Sequence, residues 1–245
     1  MNLKTLVKKQ PKKPPRVLLY SIAGWGKSTL AASMPKPVFL DIEDGLSGLD
    51  ALSFPVPKNY DDFLAQLGML IKEKHEYKTV VIDTLSSLEK LIFDKVCIEN
   101  NVKAIDKIGY AKGYSFALEY WNKIIQGMNL LRDKGIAPVL LAHSEIKTIN
   151  DPLKDPYDQF VLRLHKHSAA LTTQWSDLIL FGTHKVVVTK SGDGLGAKNK
   201  GIGEGERIVY TESRPAFLAK SRMDLAFEID VPKENGWNTI MKGKK

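Results

Sequence analysis

Cysteine is nearly absent. Cys97 stands alone, so no disulfide can form within the chain and a cysteine-rich zinc site is excluded. A reducing cytoplasm is the simplest compartment for such a chain. Long apolar runs are missing too, and none approaches the roughly 18–20 residues that a membrane span needs. The N-terminus has no apolar stretch ahead of a cleavage site, so no secretion signal is expected. No motif recurs at a period of roughly 20–50 residues, which argues against solenoids and propellers. Acids are missing from the first sixteen positions, which carry Lys4, Lys8, Lys9, Lys12, Lys13 and Arg16. Lys242, Lys244 and Lys245 close the chain. The formal net charge of +8 therefore sits in the two ends, and the body is close to neutral. This charge admits phosphate contacts by the ends but does not mark the body as a nucleic-acid surface.

What is present is an ordinary globular composition: 245 residues, 43% hydrophobic and 26% charged. That excludes a disordered chain and permits one sizeable core. We expect a flexible basic arm over 1–15, where Pro11 to Pro15 blocks regular structure. A single domain is expected over 16–232 and a basic tail over 233–245.

Apolar runs at 16–20, 37–45, 79–83 and 137–143 predict buried strands. Helices are expected from Lys27 to about Met34, after Asn59, after Asp83 (with Ser86 and Glu89 as a capping box) and over 117–131. The segment 100–113 reads as a loop, and the polar stretch 144–167, with two Asp-Pro steps, as a long one. Late strands are expected from Ser176, Lys185 and Arg207, with a glycine-rich hairpin tip at 191–205. Buried strands alternating with amphipathic helices predict a mainly parallel sheet covered on both faces.

The strongest chemical signal is the run Ser21-Ile-Ala-Gly24-Trp25-Gly26-Lys27-Ser28-Thr29, between a strand and a helix. Backbone N–H groups of a glycine-rich turn can cradle a polyphosphate, assisted by the dipole of the following helix. Lys27 would reach the β- and γ-phosphates and the Ser28 hydroxyl would hold Mg²⁺. The usual pattern begins with glycine, and Ser21 stands there. Asp83, at the carboxyl end of VVID, would hold Mg²⁺ through water. Asp41 and Glu43 end the second strand, and Glu43 is placed to orient and deprotonate an attacking water. His165 and His167 lie close in sequence but lack a clear third metal ligand.

The segments LDIEDGL, VIDTLSSLE, LLAHSEIK and RPAFLAKSR, together with the phosphate loop, resemble a family of phage-encoded RecA-like P-loop ATPases associated with single-strand annealing and recombination. The likeness covers roughly 16–230. It implies a three-layer α/β RecA-like P-loop NTPase core, with a mainly parallel sheet and late antiparallel strands. It further implies an ATP- and Mg²⁺-dependent ATPase that acts on single-stranded DNA in a bacterial host cytoplasm as a homo-oligomer, ring or filament. A single-strand DNA-binding protein is a further partner it admits.

By this resemblance Glu43 matches the catalytic glutamate and His143 the polar sensor that ends the fourth strand. Lys220 and Arg222 match a pair that acts in trans on a neighbour's nucleotide. Two loops match the places where the family holds a single strand. The first carries Lys103, Lys107, Tyr110, Lys112 and Tyr114, and the second Lys147, Lys154, Arg163 and Lys166. Aromatics among lysines suit base stacking without sequence reading. Lys198 and Lys200 are a third candidate. The alternatives are a helicase-like or helicase-loading ring ATPase, and a nucleotide-gated DNA-binding module with negligible turnover. A small-molecule kinase is disfavoured by the Lys-x-Arg near the C-terminus.

Overall fold

The computed structural model describes residue 7 and residues 11–191, 198–203 and 205–243. Side chains of 111, 187–191 and 198–202 lie outside that description, and with them those of Lys198 and Lys200, whose backbone is strand rather than the expected glycine-rich tip. The strands are β1 (Val17–Ser21), β2 (Pro37–Asp41), β3 (Leu52–Ser53), β4 (Thr79–Asp83), β5 (Ala137–Ile149) and β6 (Tyr157–Leu162). After them come β7 (Leu178–His184), β8 (Val187–Ser191), β9 (Lys198–Ile202), β10 (Arg207–Tyr210), β11 (Lys220–Ser221) and β12 (Glu228–Asp230). The helices are α1 (Lys27–Ala32), α2 (Tyr60–Lys72), α3 (Leu85–Glu99), α4 (Lys112–Asp133), α5 (Lys166–Trp175) and α6 (Gly236–Lys242).

The main sheet runs β12-β10-β7-β1-β5-β4-β2-β3. Strands β7, β1, β5, β4, β2 and β3 are parallel. The late strands β10, β11 and β12 join antiparallel, as does β6 on β5. This is the mixed α/β architecture expected, with late antiparallel strands on a mainly parallel sheet.

Side chains alternate along each strand, so successive residues serve different cores. Leu18, Tyr20, Leu40, Ile82 and Leu140 pack against α2, α3 and α4, where Phe63, Leu88 and Trp121 are fully buried. Val17, Leu19, Phe39, Val81 and Leu141 pack with Leu30 of α1 and with Trp237 and Ile240 of α6. Helices thus cover both faces. The Asn59 side chain caps α2 as expected, accepting from the Asp62 amide at 2.9 Å.

Three expectations change. Residues 144–167 are not one loop: β5 continues to Ile149 and pairs with β6 from Ser144↔Leu162 to Ile149↔Tyr157. Beyond His143, β5 leaves its parallel neighbours, so this hairpin has little buried face and no apolar alternation to announce it. The segment 233–245 contains α6, whose Trp237 and Ile240 are buried, so it is a packed helix rather than a bare basic tail. The pair Ser86 and Glu89 forms no capping box. The Ser86 hydroxyl donates to the Arg163 carbonyl at 3.0 Å. Buried Glu89 reaches across to cap α5, accepting from the His165 amide at 2.9 Å and from the Ser168 hydroxyl.

Residues 13–16 close the end of the sheet opposite the loop. Lys13 pairs with Asp133, and Arg132 Nε donates to the Pro14 carbonyl. Asp177, at the head of β7, accepts from Arg16 Nε and Nη2 (2.9 and 2.7 Å), Arg132 Nη2 (3.1 Å) and Arg222 Nη1 (2.8 Å). Burial opposes its ionisation, but the hydrogen bonds and charge of Arg16, with Arg132, outweigh that and hold its pKa at about 2. The folded pKa lies below the unfolded one. The clasp is therefore complete above about pH 4 and is lost as pH falls through about 2. In denaturant titrations, the stability advantage of wild type over Asp177→Asn should shrink between those values. An advantage that does not change with pH would mean that the clasp does not depend on the carboxylate charge.

Candidate functional site

Strand order brings four strand ends together. Strand β5 lies between β1 and β4, and the register sets Ser21 opposite His143 and Asp83 opposite Leu141. Everything that leaves the carboxyl ends of β1, β4 and β2 therefore opens on one crevice. The phosphate-loop residues Ser21 to Thr29 rise from β1, Asp83 from β4, Glu43 from the turn after β2, and His143 from β5.

Ser21 stands where the backbone makes no demand for glycine. It is the last residue of β1, in extended backbone, while Gly24 and Gly26 carry the positive φ values of 72° and 98°. Glycine is required at those two positions and not at the first. The Ser21 hydroxyl donates to the Ile22 carbonyl and accepts from Lys27 Nζ at 3.4 Å. Trp25 is fully buried: its indole N–H donates to the Thr183 carbonyl at 2.8 Å, and its ring lies against Gly182. It anchors the loop to β7.

Lys27 is 6% exposed and has no carboxylate in salt-bridge contact among the described residues. Burial lowers its pKa, and the charges of Asp83 and Glu43 oppose that shift. Its Nζ lies 3.4 Å from His143 Nδ1, while His143 Nε2 lies 3.2 and 3.3 Å from the two oxygens of Glu43. A neutral ring protonated at Nε2 satisfies both neighbours at once. Glu43 also accepts from the Thr84 hydroxyl and from the Ser87 hydroxyl at 2.8 Å. The His143 hydrogen bond, opposed by burial and reinforced by Thr84 and Ser87, holds Glu43 at a pKa of about 2. So low a value suits orienting a water better than taking its proton, since a general base works best near the operating pH.

The Ser28 hydroxyl donates to Asp83 at 2.5 Å, and Asp83 is buried. Burial raises the Asp83 pKa against the pull of that bond. One hydroxyl and one carboxylate, both hard oxygen donors, fit a Mg²⁺ ion that takes its other ligands from water and phosphate. No group of three His, Cys, Asp or Glu suited to a metal occurs among the described residues. His165 caps its own helix and stacks on Tyr114 at 3.9 Å between ring centroids.

The other expected residues fall in two places. Lys220 and Arg222 lie at the opposite end of the sheet from the loop, because β11 pairs with the start of β7. Lys220 donates to the Thr173 carbonyl and Arg222 to Asp177. Neither meets this chain's own phosphate loop. The two expected DNA segments do meet, although Lys112 and Tyr114 stand on the first turn of α4 rather than in a loop: the Tyr114 ring stacks on His165, two residues after Arg163 of the second. Tyr110 is 97% exposed, with Lys112 over its ring, and Lys103, Lys107, Arg163 and Lys166 are exposed. Lys147 pairs with Glu145 on the hairpin, and Lys154 lies over the Tyr157 ring.

Sequence reasoning missed two features. Thr84 and Ser87 hold Glu43, and their signal was the run of hydroxyls after VVID. Arg207 lies over the loop: a Cβ on Gly26 would come within 2.5 Å of its Nη1. Nothing local in sequence marks it.

No helix among the described residues is long and apolar enough to cross a membrane. The family model described as AAA domain matches residues 13–223. The SPbeta prophage-derived uncharacterized protein YorG of Bacillus subtilis (strain 168) is 26% identical over 132 residues, 52% of this chain. The match spans 40% of that relative's length.

The loop geometry makes a direct prediction. Gly26→Ala combines a positive φ with a clash against Arg207, and should cost about 1–3 kcal/mol of stability. Chemical denaturation checks this, and a change within about 0.5 kcal/mol would contradict the loop conformation described.

Proposed function

The chain belongs to the AAA domain family, and from that premise we propose that it binds Mg·ATP at loop 21–29 and hydrolyses it, acting on single-stranded DNA. The observation that carries this reading is the line Lys27, His143, Glu43 beside the Ser28–Asp83 pair, set by four neighbouring strand ends. The loop amides and Lys27 would take the polyphosphate. Mg²⁺, held by Ser28 and through water by Asp83, would offset phosphate charge. Glu43 would orient the attacking water in line with the γ-phosphate. Among the described residues its Oε2 has only the His143 contact, at 3.3 Å, and so retains room to accept from that water.

The DNA part rests on proximity. His143 is followed at once by the β5–β6 hairpin, and its carbonyl accepts from the Arg163 amide at 2.9 Å. A phosphate that draws Lys27 from His143 would therefore act on the base of the hairpin. The exposed Tyr110 and the lysines around it supply a surface for bases and phosphates. The RecA-like likeness and the prophage origin of the relative support recombination or annealing as the setting. In an oligomer, Arg222 is the better placed of the Lys220–Arg222 pair to serve a neighbour, since its side chain stays 61% exposed.

One observation favours a second reading. Glu43 is already held by three donors and is a weak base, which fits a nucleotide-gated DNA binder with negligible turnover.

Steady-state ATP hydrolysis with and without single-stranded DNA separates the two. We expect DNA-stimulated turnover that falls at least about 100-fold in Glu43→Gln and is absent in Lys27→Ala. Turnover at background in wild type, with DNA binding that still depends on ATP and on Lys27, would establish the binder instead.

A further inference from the structure

Beside the phosphate loop lies a second open space of about 690 Å³, within the range of small-molecule sites. Trp25, Gly26 and Thr29 line one side, and Arg207, Asp230 and Pro232 the other. Arg207, on β10, is its most unusual member. Its guanidinium carbon lies 5.6 Å from the Trp25 ring centroid, and its Nη1 lies over Gly26. Its Nη2 donates to the Pro232 carbonyl at 2.6 Å. Among the described residues no carboxylate pairs with it. Asp230 shares the space but pairs with Lys185 at 3.9 Å, and Glu206 lines it without a described bond to Arg207. Burial works against its charge. A guanidinium has five N–H donors in a flat fork, and among the described residues one of them is used here.

A half-buried cation set against an aromatic ring and a carbonyl, with no acid paired to it among the described residues, is poised for an anion brought from outside. The nearest place for one is the loop itself. We propose that Arg207 is a phosphate-binding residue of this chain's own nucleotide site, its fork meeting the polyphosphate cradled by residues 21–29. The assignment rests on the nucleotide reading above and adds to it a charge supplied in cis. Trp25 is the positioning residue: it is fixed by Thr183 and Gly182, and its ring lies 5.6 Å from the guanidinium carbon.

Titration calorimetry on the full chain decides the matter, with Mg·ATP and inorganic Mg·tripolyphosphate as probes. Arg207→Gln keeps a polar side chain of similar stem, ends two bonds short of the Pro232 carbonyl, and removes the charge. It should weaken both probes by the same factor, at least about tenfold. Arg207→Lys, which keeps the charge but not the fork, should fall between wild type and Arg207→Gln for both. If Arg207→Gln does not fold, Arg207→Lys alone carries the test, with an expected loss of about threefold or more for both probes. Loss for ATP with tripolyphosphate unchanged would mean that Arg207 meets the base, and would overturn the assignment. Unchanged affinity for both would overturn it as well. A wild type that binds neither probe would remove the nucleotide site itself, a failure of the earlier reading that leaves a different signature.

Discussion

Lys27 is a buried ammonium whose direct partners are a hydroxyl and an imidazole, and the site is organised around that shortage. A cation in such a place is costly unless compensating charge is near. Asp83 and Glu43 supply it from a distance, one from β4 and the other from the turn after β2. Neither contacts Nζ as a salt bridge, so Lys27 is stabilised without being neutralised. A polyphosphate would offer it better acceptors than it now has. The same arrangement explains why Glu43 must be anionic and firmly held. A protonated or mobile Glu43 would leave both Lys27 and His143 worse off.

The fold supplies this by strand order. With β5 between β1 and β4, a single histidine can touch the loop lysine through one nitrogen and the glutamate through the other. The strand that carries it then continues, past its last parallel neighbour, into an exposed hairpin. Buried Glu89 ties α3 to the start of α5, so the foot of that hairpin is fixed on two sides. The expected DNA-contacting loops thus share one support, joined by the stacked rings of Tyr114 and His165.

Much of this was legible in the sequence, and the losses have physical reasons. Strands buried on both faces announce themselves as apolar runs, and β1, β2, β4, β5 and β7 were all found that way. The loop, Asp83, Glu43 and His143 lie at the ends of those runs, so their convergence could be anticipated. The β5–β6 hairpin could not, because a ribbon that is half-buried at most positions shows no clear apolar period, and its Asp-Pro steps read as loop. Glu89 was misjudged because its partners are seventy-six and seventy-nine residues away, whereas Ser86 is close in sequence. Helix α6 did leave a signal in Trp237, Ile240 and Met241, at helical spacing, which the surrounding lysines masked. Arg207 left none, since its meaning comes from the strand beside it.

Trp25 and Gly182 form a pair with a history to tell. The indole lies so close to β7 that a Cβ on Gly182 would be 2.8 Å from the ring. Neither residue is free to drift alone: the strand can gain a side chain only where the loop has given up its tryptophan. Across relatives, the two positions should therefore change together, and a chain that breaks the pairing should hold its phosphate loop against β7 by some other contact.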